Sequence, residues 1–198
     1  MPSFVLNGLG TARHTLSTSQ HGFVTQNGAL AVVGDLGVRI EGNSAALSVA
    51  GTIWSSIGPG VHIAAAATGV AVTVLPGASI SGTSGIYMHT STAASIVNTG
   101  AIIGRSSSGL YVLGTITLTN HGLISSAYSS GLRIESSGGG VIRNTGEISG
   151  VLYGIGQPFG STPVTILNSG WVTGPLGAIV TGGGNDVVVN SGTLAGDV

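Results

Sequence analysis

Apolar and polar residues alternate along this chain in short runs, and the runs recur. Gly followed by an alternating stretch occurs at Gly37 (GVRIEG), Gly60 (GVHIAA), Gly85 (GIYMHT), Gly109 (GLYVLG), Gly131 (GLRIES), Gly154 (GIGQPF) and Gly177 (GAIVTG), spaced 23, 25, 24, 22, 23 and 23 residues apart. A second motif, Asn-x-Gly, keeps step with it at Asn98, Asn120, Asn144, Asn168 and Asn190, spaced 22, 24, 24 and 22. Period-two alternation marks a strand with one buried face. A repeat of about 20–50 residues marks a stack of units, none of which buries its apolar face alone. Each period therefore holds three short strands: A after the Gly, B ending at the Asn, and C just after Asn-x-Gly. The expected fold is all-β, a parallel β-helix (β-solenoid) with three short strands per coil and about 8 coils of 22–26 residues.

Alternation also assigns the faces. Inward residues are Val38/Ile40, Val61/Ile63, Ile86/Met88, Leu110/Val112 and Leu132/Ile134 in strand A. They are Ile96, Leu118, Ile142, Ile166 and Val188 in strand B, and Ile102, Ile124, Ile148, Val172 and Leu194 in strand C. Stacked coils lie about 4.8 Å apart, so like side chains sit above like. Gly28, Gly51 and Gly77 take the place of the motif Gly in the earlier coils, with Ala50 or Pro76 where Asn would stand. Residues 1–22 do not fit this register and read as an irregular N-terminal segment or cap; residues 23–198 form the solenoid domain. The repeated Asn tolerates left-handed turns and stacks its amides in a column, so Asn98, Asn120, Asn144, Asn168 and Asn190 are assigned to a structural ladder.

Composition narrows the function classes. The chain has 198 residues with 36 Gly, no Cys, 6% charged residues and a net charge of -1, yet 42% are hydrophobic. That excludes a disordered polar chain. With no basic stripe, nucleic acid is not an expected partner. No apolar run reaches bilayer-spanning length, so no transmembrane segment is expected. The start of the chain, Met1 to Leu6, lacks the basic and apolar regions of a secretory signal peptide.

The coil of roughly 23 residues carrying φ-x-Asn-x-Gly-x-φ resembles the parallel β-helix repeats of bacterial surface proteins: autotransporter passengers and filamentous-haemagglutinin-like adhesins. The resemblance covers about residues 24–198. It implies a right-handed helix that serves as a secreted or cell-surface stalk or display surface. Near the C-terminus, Thr181-Gly182-Gly183-Gly184-Asn185-Asp186-Val187-Val188 is similar to the calcium-binding nonapeptide of repeats-in-toxin proteins. That resemblance implies calcium at Asn185 and Asp186. A calcium ion needs six or more oxygens and there is one copy of the motif, so a Gly-rich turn between strands A and B is preferred. No other cofactor is expected.

Catalytic chemistry finds little to work with. The carboxylates are Asp35, Glu41, Glu135, Glu147, Asp186 and Asp197, and no two coils in contact place acids at matching positions. A polysaccharide lyase or hydrolase would need such a pair, so the chain is read as non-enzymatic. The imidazoles His14, His21, His62, His89 and His121 show no ligand spacing along a strand.

Two surfaces stand out. The outward position of strand A carries Arg39, His62, Tyr87, Tyr111 and Arg133 in successive coils. Such planar groups suit a glycan strip, or they pair with one another to stabilise an exposed sheet. Strand B carries outward apolar residues at Val97, Val141, Leu167, Val187 and Val189, and strand C carries Trp54 and Trp171. Apolar residues on both faces of a strand call for cover on both sides, and a neighbouring subunit would supply it. The last coil, Gly192 to Val198, finishes in strand C with free edge groups, which would allow end-to-end stacking. The leading function is therefore a cell-surface or extracellular structural protein that self-associates into a homo-oligomer or filament. An adhesin segment holding polysaccharide on the Arg39–Arg133 stripe comes second, and a lyase or hydrolase third.

Overall fold

The computed structural model describes residues 3–89 and 92–196. It is an all-β parallel solenoid in which the chain visits three sheets in turn. The first sheet stacks nine strands, from Phe4–Leu6 to Val187–Asn190. The second also stacks nine, from Leu9–Gly10 to Thr193–Ala195, and the third stacks eight, from His14–Leu16 to Ile179–Val180. Coils are numbered here by their first-sheet strands: coil 1 starts at Phe4, coil 5 at Ala93 and coil 8 at Val164. A partial ninth coil holds Val187–Asn190 and Thr193–Ala195. Strand pairing is parallel at every step, so a residue's outward or inward role passes unchanged from coil to coil.

The interior is a narrow aliphatic column. Ile40, Ile63, Met88 and Val112 stack in the third sheet, Leu47, Val72, Ile96 and Leu118 in the first, and Ile53, Ile80, Ile102 and Ile124 in the second, all buried. β-Branched residues dominate because a half-buried strand restricts χ1 at little cost to them.

The described part of residues 1–22 forms a first coil with a strand in each sheet. Its alternation is hard to read because its strands are two and three residues long. It also closes the interior at this end: Phe4 stacks on His14 with ring centroids 4.3 Å apart, over Gly22, where a Cβ would lie 2.4 Å from the Phe4 ring. Burial lowers the pKa of His14.

One difference from the expected register concerns the turn between the first and second sheets. Val24, Val49 and Val74, rather than Ala50 or Pro76, occupy the column that becomes Asn98 in coil 5. With Leu6 in coil 1 the turn is thus apolar for four coils and carries asparagine in the next five. From Asn98 onward each Nδ2 donates to the next Oδ1 at 2.7 Å, through Asn120, Asn144 and Asn168 to Asn190. The second N–H of each amide turns to carbonyls of the turn, such as Gly122 O for Asn120 and Gly146 O for Asn144. The glycine two residues on has its own reason: a Cβ on Gly146 would lie 2.2 Å from Gly122 O, the same turn one coil earlier.

A second difference is a slip of one residue in the last turn into the third sheet. Gly156 pairs with Val180 and Ile155 with Ile179, so Ala178 rather than Gly177 holds the motif-glycine place. The Gly177 φ of 148° absorbs the extra residue. Asp197 and Val198 lie outside the described residues.

The ladder predicts a graded response. Asn144→Ala removes a buried amide and strands the Asn120 donor; it is expected to lower unfolding free energy by about 2–4 kcal/mol. Asn190→Ala, at the exposed end of the ladder, is expected to cost about 1 kcal/mol or less. Urea denaturation of both variants measures the difference; equal costs would mean that the amide ladder is not what holds the turns.

Candidate functional site

The third sheet brings the strand A stripe together in register. Arg39 pairs with His62, His62 with Tyr87, Tyr87 with Tyr111 and Tyr111 with Arg133. Thr15 precedes the stripe, and beyond Arg133 the column continues with Gly156 and Val180. Spacing by strands sets the ring geometry. Tyr87 and Tyr111 stack with centroids 5.2 Å apart and planes 10° apart. His62 meets Tyr87 edge-on at 5.3 Å and 70°, and His89 meets Tyr87 edge-on at 6.4 Å. The Arg133 guanidinium lies 5.9 Å from the Tyr111 ring centre.

Polar groups along the stripe largely answer one another. Glu135 Oε1 accepts from Tyr111 Oη at 2.8 Å and from Arg133 Nε at 2.6 Å. Arg39 forms an ion pair with Glu41. Burial, then the hydrogen bond to Glu135 and its charge, push the Tyr111 phenol up to about 12. Burial followed by the charge of Glu135 raises Tyr87. His62 is lowered, first by burial, then by Arg39 and His89, with Glu41 opposing. The stripe is therefore a column of planar groups in mutual contact, in which the inner ring faces of Tyr87 and Tyr111 are turned on each other and His62 meets Tyr87 edge-on. Beside it lies an open groove of about 460 Å³ lined by Pro59, His62, Thr83, Ser84, Tyr87, His89 and Ser107.

The acids do not converge. Asp35 pairs with Arg13 at 3.0 Å, Glu41 with Arg39 and Glu135 with Arg133. Glu147 opens a strand of the second sheet, between Leu123 and Trp171. Asp186 Oδ1 accepts from the Val164 N–H at 2.9 Å, which ties the Gly-rich turn to the coil before it, while Asn185 is exposed. Among the described residues no three His, Cys, Asp or Glu are grouped to hold a metal ion.

The strand B residues lie on the outer face of the first sheet. One column there runs Val5, Phe23, Ser48, Thr73, Val97, Thr119, Arg143, Leu167 and Val189. Beside it runs His21, Ala46, Ala71, Ser95, Thr117, Val141, Thr165 and Val187. The apolar residues singled out from sequence are thus not one continuous strip, since Thr119 and Arg143 separate Val97 from Leu167. Val187, Val188 and Val189 are all exposed, at 48%, 44% and 55%, because no described strand follows theirs in the sheet. Shallow hollows of about 550, 240 and 240 Å³ lie along this face, the largest lined by Val5, His21, Gly22, Phe23, Ala46, Ser48 and Leu75.

The two tryptophans do not share a surface. Trp54 and Trp171 both point outward on the second sheet, but in different columns and five strands apart, about 24 Å. Trp171 is 51% exposed. Trp54 is covered by Arg105, whose guanidinium sits 5.2 Å from the ring centre and also donates to the carbonyls of Ser55 and Ser56. Arg105 thereby clamps coil 5 to coil 3 across the short turn Gly82–Gly85 of coil 4.

Sequence reasoning missed the corner between the second and third sheets. Val33, Ile57, Tyr128, Val151 and Leu176 project there into solvent, one in each of five coils. The signal was an apolar residue between strand C and the next motif Gly. No helix among the described residues is long and apolar enough to cross a membrane. Compared with known proteins, the chain matches no family model, no curated protein and no solved structure.

The Tyr111 phenol gives a pH dependence with a definite sign. Its folded pKa lies above its ordinary value of 10, so the stability it contributes is present below pH 10 and lost as pH rises toward about 12. Thermal melts between pH 9 and 12 are expected to show a decline that Tyr111→Phe makes shallower. An unchanged decline in the variant would mean that burial and Glu135 do not raise the Tyr111 phenol as described.

Proposed function

We propose that this chain is a non-enzymatic structural protein, an extracellular or cell-surface β-solenoid that self-associates into an oligomer or filament. The observation that supports this reading best is the outer face of the first sheet. Its two outward columns are built mostly from aliphatic and hydroxyl side chains, with Phe23, His21 and one arginine, Arg143, and no acid. A flat parallel sheet of such residues packs against another sheet at about 10 Å, and nothing in the described chain covers it. Length matters as well: a solenoid side repeats the same weak contact in every coil, so small gains per coil add along the rod.

Light scattering with electron microscopy on the same sample tests the reading. The expected result is a mass at least twice 19.3 kDa, with paired or bundled rods. Val97→Arg, a charge at the middle of the face, is expected to lower that mass while leaving the far-ultraviolet circular dichroism unchanged. A wild-type monomer at high concentration would sink the proposal.

A second reading, a glycan held along the third sheet, rests on the groove beside His62, Tyr87 and His89, with hydroxyls from Thr83, Ser84 and Ser107. Tyr87 supplies the aromatic edge and the hydroxyls the hydrogen bonds that a neutral sugar takes. Loss of retention on a polysaccharide array with Tyr87→Ala, in a variant that melts like the wild type, is the expected result. Equal retention removes this reading.

A further inference from the structure

The outward column of the first sheet reads nearly the same from either end. From coil 1 to coil 9 it is Val5, Phe23, Ser48, Thr73, Val97, Thr119, Arg143, Leu167, Val189. Apolar residues stand at both ends and at the centre, with two polar residues on each side between them. The neighbouring column is compatible: about Ser95 it pairs Ala71 with Thr117, Ala46 with Val141 and His21 with Thr165. Ala46 and Ala71 of one half therefore lie opposite the bulkier Val141 and Thr117 of the other, and His21 opposite the smaller Thr165.

We infer that two copies pack face to face through their first sheets, with solenoid axes antiparallel and a two-fold axis along the coil 5 strand at Ser95 and Val97. This rests on the self-association proposed above and specifies its surface and symmetry. An isologous contact needs a patch complementary to itself after a half-turn. Here the half-turn places Phe23 against Leu167 of the second copy, Val5 against Val189, Thr73 against Thr119 and Val97 against Val97. The largest hollow, over coils 1 to 3, receives Val141 and Leu167 from coils 7 and 8 of the second copy.

The alternative, axes parallel, sets the 550 Å³ hollow against its own copy, whereas antiparallel axes set it against the 240 Å³ hollow lined by Arg143, Leu167 and Val189, so the parallel pair leaves the larger void. In the antiparallel pair Arg143 meets Ser48 and its long stem reaches toward the rim. Nine strands at about 4.8 Å and a face about 15 Å wide give about 600 Å² per copy, or about 1,200 Å² in total, the lower end of a standard stable interface.

The chain has no cysteine, so single-cysteine variants report without background. Val97→Cys, with Ser95→Cys as a second position near the axis, is treated with a short bifunctional thiol reagent; both are expected to give cross-linked dimers. Phe23→Cys and Leu167→Cys are expected to cross-link when mixed and not when either is alone. Light scattering of each variant shows whether it still associates. Cross-linking of Phe23→Cys alone and of Leu167→Cys alone would overturn the antiparallel arrangement in favour of the parallel one. Association without cross-linking at residues 95 or 97 would overturn the choice of face while leaving self-association intact. A monomeric wild type would overturn both.

Discussion

Parallel stacking at one strand per coil is the constraint from which the rest of this structure follows. Each residue sits about 4.8 Å above its counterpart one coil earlier, in nearly the same orientation. A side chain must therefore tolerate a near-copy of itself on both sides. Aliphatic residues do so by packing, and the interior is accordingly a column of Ile, Val and Leu with a single Met at Met88. Asparagine does so by hydrogen bonding, because its amide carries an acceptor and a donor that line up along the axis. Charged residues do so badly, and the described ion pairs use other routes. Arg39 and Arg133 find their acids two residues along the chain, just past the end of the strand, and Arg13 finds Asp35 of the next coil.

The same constraint explains why the most conspicuous stripe is better at holding itself than at holding something else. Tyr87 and Tyr111 are brought to stacking distance by the strand spacing, and Arg133 closes the outer side of the stack. Glu135 then takes the phenol and the guanidinium together. What remains open is the flank, where His62, His89 and the hydroxyls of the neighbouring turn line a groove. The first sheet lacks such internal partnering, since hydroxyl and aliphatic side chains in register offer one another little beyond contact. Its outer face is thus left with apolar area that a second sheet is suited to cover.

Local departures from the repeat show what the stacking rule permits. Val24, Val49 and Val74 fill the turn column in the first coils, and the amide ladder starts where Asn98 replaces them. Either solution fills the turn, one by burial and one by hydrogen bonding. Gln157 enters the third sheet's interior and donates from its amide to Gly138 O and Thr162 O, closing the loop around Pro158 and Phe159. The slip at Gly177 shows that a positive-φ glycine accommodates one extra residue without ending the stack.

The sequence by itself determined the class of fold, the number of strands per coil and the inward residues of strand A in coils 2 to 6 and of strands B and C in coils 5 to 8. Periodicity of two within strands and of about 23 between them leaves one economical solution. It also determined which residues share the third-sheet stripe, since equal offsets from a repeated glycine become equal positions in a stack. It did not reveal coil 1, whose strands are too short to show alternation, or the slip in the last coil, where Gly177 and Ala178 compete for one place. Tertiary structure alone decided what each stripe does with itself: that Tyr87 and Tyr111 stack face to face, that Arg105 reaches back two coils to Trp54, and that Thr119 and Arg143 interrupt the apolar column. Those outcomes depend on turn lengths that vary from coil to coil and on rotamers chosen against neighbours about 23 residues away, distances over which a linear pattern carries no geometry.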